Sequence, residues 1–235
     1  MNLLALFVLA AFPQADPSAL SPAKLSIAED EGLPVRHSAS LHFRMSAPGG
    51  DVTDDGLDYA DLFKGGYGIG LEGDRMYFLD PSFALGGYVS LGFDAFGGDR
   101  YTDDSGDCLR CGRLDLYTIM GGIRILGLLD ELVFTGNQIA LEGRLGVGAS
   151  CYQPVEATFV IGGVTTDGAE FFDRSVAAVF ESGVRAGVTG RSFALMFGLG
   201  FRVIGPPDRG GDVTSRVDPE SLIEFTFEIG YQFRF

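Results

Sequence analysis

Ile223-Glu-Phe-Thr-Phe-Glu-Ile-Gly-Tyr-Gln-Phe-Arg-Phe235 alternates without an error. Ile223, Phe225, Phe227, Ile229, Tyr231, Phe233 and Phe235 share one parity, and Glu224, Thr226, Glu228, Gly230, Gln232 and Arg234 share the other. Side chains point to opposite faces of a strand in turn, so this stretch is a strand with one wholly apolar face and one charged face. Such a strand needs two different environments, one on each side of its sheet.

The rest of the chain repeats the pattern. From residue 35 onward it divides into eight alternating segments: Val35–Ser46, Leu62–Gly73, Phe83–Phe96, Arg113–Leu126, Ile139–Cys151, Ser175–Thr189, Phe193–Ile204 and Leu222–Phe235. Each reaches the ~9–11 residues that a tilted strand needs to cross a bilayer. The connections alternate as well. Ala47–Asp61, Gly97–Gly112, Tyr152–Arg174 and Gly205–Ser221 are long and polar; Asp74–Ser82, Gly127–Gln138 and Gly190–Ser192 are shorter. Long loops at one end and short turns at the other are the habit of outer-membrane barrels. The expected fold is all-β: an eight-stranded antiparallel up-and-down transmembrane β-barrel over residues 35–235. In segment four, Asp115 and Arg124 have opposite parity, and a bulge near Gly121-Gly122 would bring both to the interior.

Composition fits a curved sheet. Of 235 residues, 35 are Gly, 20 Phe and 8 Tyr; disorder yields glycine but not this aromatic load. The apolar run Leu3–Phe12 is too short for a membrane helix and suits the core of a signal peptide. Residues 1–23 are therefore expected to be a signal peptide, although no basic residue precedes the apolar run. Cleavage is possible after Ala15, Ala19 or Ala23. Residues 24–34 follow as a periplasmic segment. The absence of tryptophan departs from the usual aromatic girdle, leaving Tyr and Phe to serve.

The carboxy-terminal strand, ending in Phe235 with Tyr231 and Phe233 at the preceding outward positions, resembles that of bacterial outer-membrane β-barrels. The resemblance implies that these three residues form the signal read by the barrel-assembly machinery. In size and strand count the chain resembles the small barrels that include the OmpA membrane domain and OmpX. Functions in that group range from anchoring through adhesion to lipid modification, so fold does not settle function.

Alternation alone does not say which face looks inward, and a soluble lipocalin-like ligand-binding barrel would bury the apolar one. Gly and Ala interspersed with the charges favour a narrow eight-stranded interior lined by the polar face. Glu72, Asp94, Glu142, Glu181, Glu224 and Glu228 would then face Arg44, Arg144, Arg185, Arg202 and Arg234. Buried charges persist when paired, so an ion-pair network is expected, with Glu142, Arg144, Glu181, Arg185, Arg202 and Glu228 at its heart.

The long loops hold most of the formal net charge of −15. An acidic crown repels nucleic acid and would attract divalent cations or basic partners. Asp51, Thr53 and Asp55 begin like a calcium loop, but Leu62 stands where the bidentate Glu belongs. Cys108, Cys111 and Cys151 are disulfide candidates in an oxidising compartment, with Cys108–Cys111 slightly favoured over a bond to Cys151. His37 and His42 are the only histidines. His37 is expected to face lipid near the periplasmic end, and His42 the interior. No Ser-His-acid grouping is apparent, so no catalytic residue or cofactor is expected. The reading is a non-enzymatic integral outer-membrane protein, exported by its signal peptide, with acidic extracellular loops. A lipid A-modifying enzyme is the alternative.

Overall fold

A computed structural model of the protein describes residues 34–53, 57–131, 137–190, 192–211 and 218–235. The proposed signal peptide, nearly all of the following segment, and Asp55 of the calcium-like run lie outside them. Eight strands close into a barrel in the order β1 (Val35–Gly49), β2 (Phe63–Asp80), β3 (Phe83–Gly98), β6 (Leu114–Glu131), β7 (Gln138–Tyr152), β10 (Ser175–Thr189), β11 (Phe193–Ile204) and β12 (Leu222–Arg234). Each pairs antiparallel with its neighbours, and β12 returns to β1, with Ser38 opposite Arg234 and Gly49 opposite Ile223. Closure leaves no free edge in the wall. No helix among the described residues is long and apolar enough to cross a membrane; a barrel crosses with strands.

Several elements run longer than their alternation implied. β2 continues past Gly73 to Asp80 and turns over Pro81-Ser82, where the Asp80 carboxylate accepts from the Ser82 N–H at 2.7 Å. This places Asp74 inside the wall rather than in a turn. β6 pairs without interruption from Leu114 to Leu128, so the bulge expected at Gly121-Gly122 does not exist. Arg124 points inward on its own parity. Asp115 stays half-buried on the outer parity near the loop end, held by the Arg113 guanidinium at 2.5 Å.

The long loops are not irregular. β4 (Arg100–Thr102) and β5 (Cys108–Cys111) come from the second long connection, β8 (Val155–Ile161) and β9 (Val164–Phe172) from the third. They form a second antiparallel sheet in the order β4-β5-β8-β9. The β8–β9 turn is Gly162-Gly163, both with positive φ (55° and 82°), the geometry of a type I′ hairpin. In the first long connection, α1 (Tyr59–Leu62) is a single helical turn.

Two apolar clusters lie at opposite ends of the barrel. At the loop end, Tyr59, Leu62, Phe63, Phe96, Leu114, Tyr152, Val155, Phe171, Phe172 and Leu222 pack as one cap with Cys111. A register shift between Phe63 and Gly66 turns Phe63 into this cap. Phe171 and Phe172 lie 4.6 Å apart, and the Tyr152 hydroxyl donates to the Gly205 carbonyl at 2.8 Å. At the turn end, Met76, Ala84, Leu126, Leu128, Ala140, Ala194 and Met196 form a smaller plug.

Candidate functional site: the barrel wall, its charged interior and the loop cap

The terminal strand decides which side is which. Phe225, Tyr231, Phe233 and Phe235 are 61, 41, 55 and 52% exposed, whereas Glu224 and Glu228 are 0 and 2% exposed. The other strands agree: Phe43, Tyr67, Val89, Ile119, Val147, Val184 and Leu199 all face outward. Among the described residues, the outward strand positions carry no charge between Arg75 near the turns and Asp115 near the loops. A charge at the bilayer midplane would cost about 2–4 kcal/mol there. The chain is a transmembrane β-barrel. The soluble ligand-binding alternative is overturned, because its apolar face would have to be inside.

Inside the wall, five arginines face seven carboxylates. Arg202 is the hub of the loop-side layer: its Nε lies 2.7 Å from Glu181, and its Nη1 lies 2.9 Å from Asp94 and 3.2 Å from Glu224. Arg44 grips Asp94 with Nε and Nη2, at 3.1 and 2.9 Å. Arg144 reaches Glu181 at 2.9 Å, Glu228 at 3.0 Å and Glu72 at 3.3 Å, tying the layers together. Arg185 pairs with Glu228, with Glu142 at 3.1 Å and with Glu72 at 3.3 Å. Arg124 pairs with Glu72, with Asp74 at 2.5 Å and with Glu142 at 3.2 Å. Asp74 also accepts from Ser38 and from Gln232.

The six residues expected at the heart of the network are thus brought together, and Asp74 and Arg124 join them. Arg234 does not. It is half-buried at the turn-side mouth, donating to Thr189 and to the Gly190 carbonyl, and Arg36 lies near that end over the Phe78 ring.

Glycines make room for these long side chains. A Cβ at Gly92 would meet the Arg44 guanidinium at 2.5 Å, and one at Gly198 would meet Arg185 and Glu228 at 2.8–2.9 Å. An eight-stranded barrel encloses just enough space to be filled by side chains. Here charged chains fill it, with apolar packing above and below.

The structure does gather a serine, a histidine and a carboxylate, contrary to expectation. Ser40 Oγ lies 2.8 Å from His42 Nε2, and Glu72 Oε1 lies 3.7 Å from the same nitrogen. A catalytic relay needs the acid on the other ring nitrogen, orienting the imidazole from behind. His42 Nδ1 has no hydrogen-bond partner, and all three residues are buried in the wall's interior. In this geometry no acid stands behind the His42 ring to orient it towards Ser40. His37 keeps the outward parity but is 8% exposed, so it is not lipid-facing as expected; its carbonyl accepts from the Phe235 N–H, level with the end of the chain's last strand.

The remaining candidates are separated. Cys108 and Cys111 lie three residues apart along β5, and extension at ~3.3 Å per residue puts their Cα atoms about 10 Å apart. A disulfide needs about 7 Å or less, so the favoured Cys108–Cys111 bond is not formed here. Cys151 sits on the outward parity of β7, and all three thiols are free. Burial pushes the Cys111 thiol up to about 12. Thr53 Oγ1 accepts from the Leu57 N–H at 3.2 Å, and the Asp51 carboxyl hydrogen-bonds Asp58, which together with desolvation raises Asp58 above the usual range. Among the described residues, no cluster of three or more His, Cys, Asp or Glu is placed to hold a metal.

Neither a protein-family model nor a characterised protein sequence matches the chain. Solved structures similar to it include Ail, the attachment invasion locus protein of Yersinia pestis, at 15% identity over 86% of this chain and 100% of Ail, with a TM-score of 0.44. Neisserial surface protein A is similar at 13% identity over 87% of this chain and 100% of its own, TM-score 0.40. The outer membrane enzyme PagL is similar at 11% identity over 81% of this chain and 97% of its own, TM-score 0.42. At these identities and TM-scores the likeness carries nothing about function.

Proposed function

We propose that the chain is a non-enzymatic integral protein of the outer membrane that presents an ordered, acidic loop surface to basic partners outside the cell. The observation that carries this reading is the sealed interior. Ion pairs fill the middle of the barrel and apolar clusters close both ends. The Ser40-His42-Glu72 contact lies inside that seal with its acid on the wrong nitrogen. What remains open to a partner is the loop sheet and the acidic connections around it. Their charge steers cationic partners and disfavours nucleic acid. Outward Tyr231, Phe233 and Phe235 serve insertion by the assembly machinery and afterwards contact lipid.

Fractionation with gel mobility before and after boiling tests location: folded barrel stays in the outer-membrane pellet and shifts on heating. Binding tests the rest. Vesicles carrying the barrel should retain a polylysine probe at low salt and release it as salt rises. Equal retention by vesicles lacking the protein would refute the loop role. Lipid A changed in a Ser40-dependent way would establish the enzyme instead.

A further inference from the structure

β5 is four residues long, begins and ends with cysteine, and among the described residues is the only strand joining β4 to the β8–β9 hairpin. Its ladder runs Cys108 to Val160 and Cys111 to Ala157 on one side, and Cys108 to Thr102 on the other. Both thiols are buried, and Cys111 belongs to the cap beneath the sheet. The Cys111 N–H donates to the Asp99 carbonyl at 3.2 Å, and the Gly112 N–H to the Glu156 carbonyl at 2.8 Å. An extended β5 holds the two Cα atoms about 10 Å apart, beyond the ~7 Å a disulfide spans. The strand and the bond therefore exclude each other.

We propose that the Cys108–Cys111 pair is a redox switch of the loop sheet: oxidation to the disulfide dismantles β5 and releases β4 and the β8–β9 hairpin from each other. A small-molecule disulfide such as oxidised glutathione supplies the oxidising equivalents. One cysteine thiolate attacks a glutathione sulfur, forming a mixed disulfide and expelling one glutathione thiolate. The second cysteine thiolate attacks the protein sulfur of that mixed disulfide, forming Cys108–Cys111 and expelling the second glutathione. The two cysteine protons end on the two glutathione thiols, so two thiols and one disulfide enter and one disulfide and two thiols leave. With both sulfurs buried, the first attack waits on local opening of β5, which keeps the reduced sheet long-lived.

The consequence is confined to the loops. The barrel wall contains neither cysteine of the pair, so its closure does not change. What changes is the surface shown outside: Leu109 and Phe159, partly buried against the cap, lose their cover.

The experiment uses the full folded chain in vesicles, with dithiothreitol or oxidised glutathione. Intact mass and peptide mapping report a Cys108–Cys111 link, and trypsin reports opening of the strand backbone at Arg100 and Arg110, whose side chains are already exposed. Cleavage is expected to speed up at least about tenfold on oxidation, since proteolysis follows the population of the open form. The heat-dependent gel shift of the barrel is expected to stay the same. Cys151→Ser should respond like the natural chain, and Cys108→Ala should lose the response. A Cys108–Cys111 link that forms with no change in cleavage would overturn the proposal. So would a folded chain that remains dithiol while urea-unfolded chain oxidises, or a response that persists in Cys108→Ala.

Discussion

Arg202 shows what one residue does in a sealed barrel. It is 1% exposed and holds Asp94, Glu181 and Glu224 at once. Arg202→Ala leaves those buried carboxylates underpaired, a loss of about 3–5 kcal/mol. Urea unfolding in micelles at pH 7 should show the midpoint falling accordingly, and Arg202→Ala combined with Glu224→Gln should recover part of the loss. An unchanged midpoint for Arg202→Ala would mean that the interior is hydrated enough to replace the guanidinium. Cys111 gives a test in the loops. Its thiol is raised to about 12 by burial, so it stays protonated while an ordinary thiol (pKa ~8.5) ionises. The folded sheet therefore keeps this contribution below about pH 8.5 and loses it as pH climbs towards 12. Iodoacetamide labelling of folded protein between pH 7 and 9.5 should leave Cys111 slow throughout, and urea should abolish the protection.

Strands and turns show how far the sequence could be read. Strict alternation in Ile223–Phe235 and Phe193–Ile204 made β11 and β12 legible almost to the residue, because one face is wholly apolar. The same logic reached Glu142, Arg144, Glu181 and Glu228. Asp74 escaped because the apolar beat weakens after Gly73, where the interior plug replaces charge with Met76. Arg124 faces inward without the bulge; Asp115 is the odd residue, and a rim position pairs its Oδ2 with Arg113. The loop sheet is less legible. Ile161-Gly-Gly-Val164 carries a hairpin signal, but the acidic residues around it masked the alternation of Val155, Ala157 and Phe159. Cysteine spacing likewise said nothing of the extended β5 between them. The hairpin is testable at its turn. Gly163→Val places a branched side chain at φ 82° and should weaken the loop sheet by about 1–3 kcal/mol. Trypsin sensitivity of the loops should rise while the barrel's gel shift stays unchanged; an equally protected loop sheet would count against the turn geometry. At the other end of the chain, Phe235→Ala is expected to lower the yield of folded barrel in the membrane more than Arg234→Ala. Equal yields would remove the aromatic face from the assembly signal.

As a whole the molecule is a filled cylinder with a lid. Planar-bilayer recordings of homogeneous protein are expected to show little or no stable conductance, since the charged layers and both apolar clusters would have to part together. Reproducible porin-like steps would contradict the packed interior. One feature of the wall bears on how it comes to exist. The pairing of β1 with β12 joins Ser38 to Arg234, strands that lie at opposite extremes of the barrel sequence. Loop closure grows costlier with the chain enclosed, and topologies dominated by distant pairings fold slowly. Until β12 arrives, β1 has bare hydrogen-bonding groups along one side and a lipid-seeking face with no lipid. Until the last strand zips shut the chain is therefore a ribbon with an open edge and an apolar face, the two features that favour association with other chains.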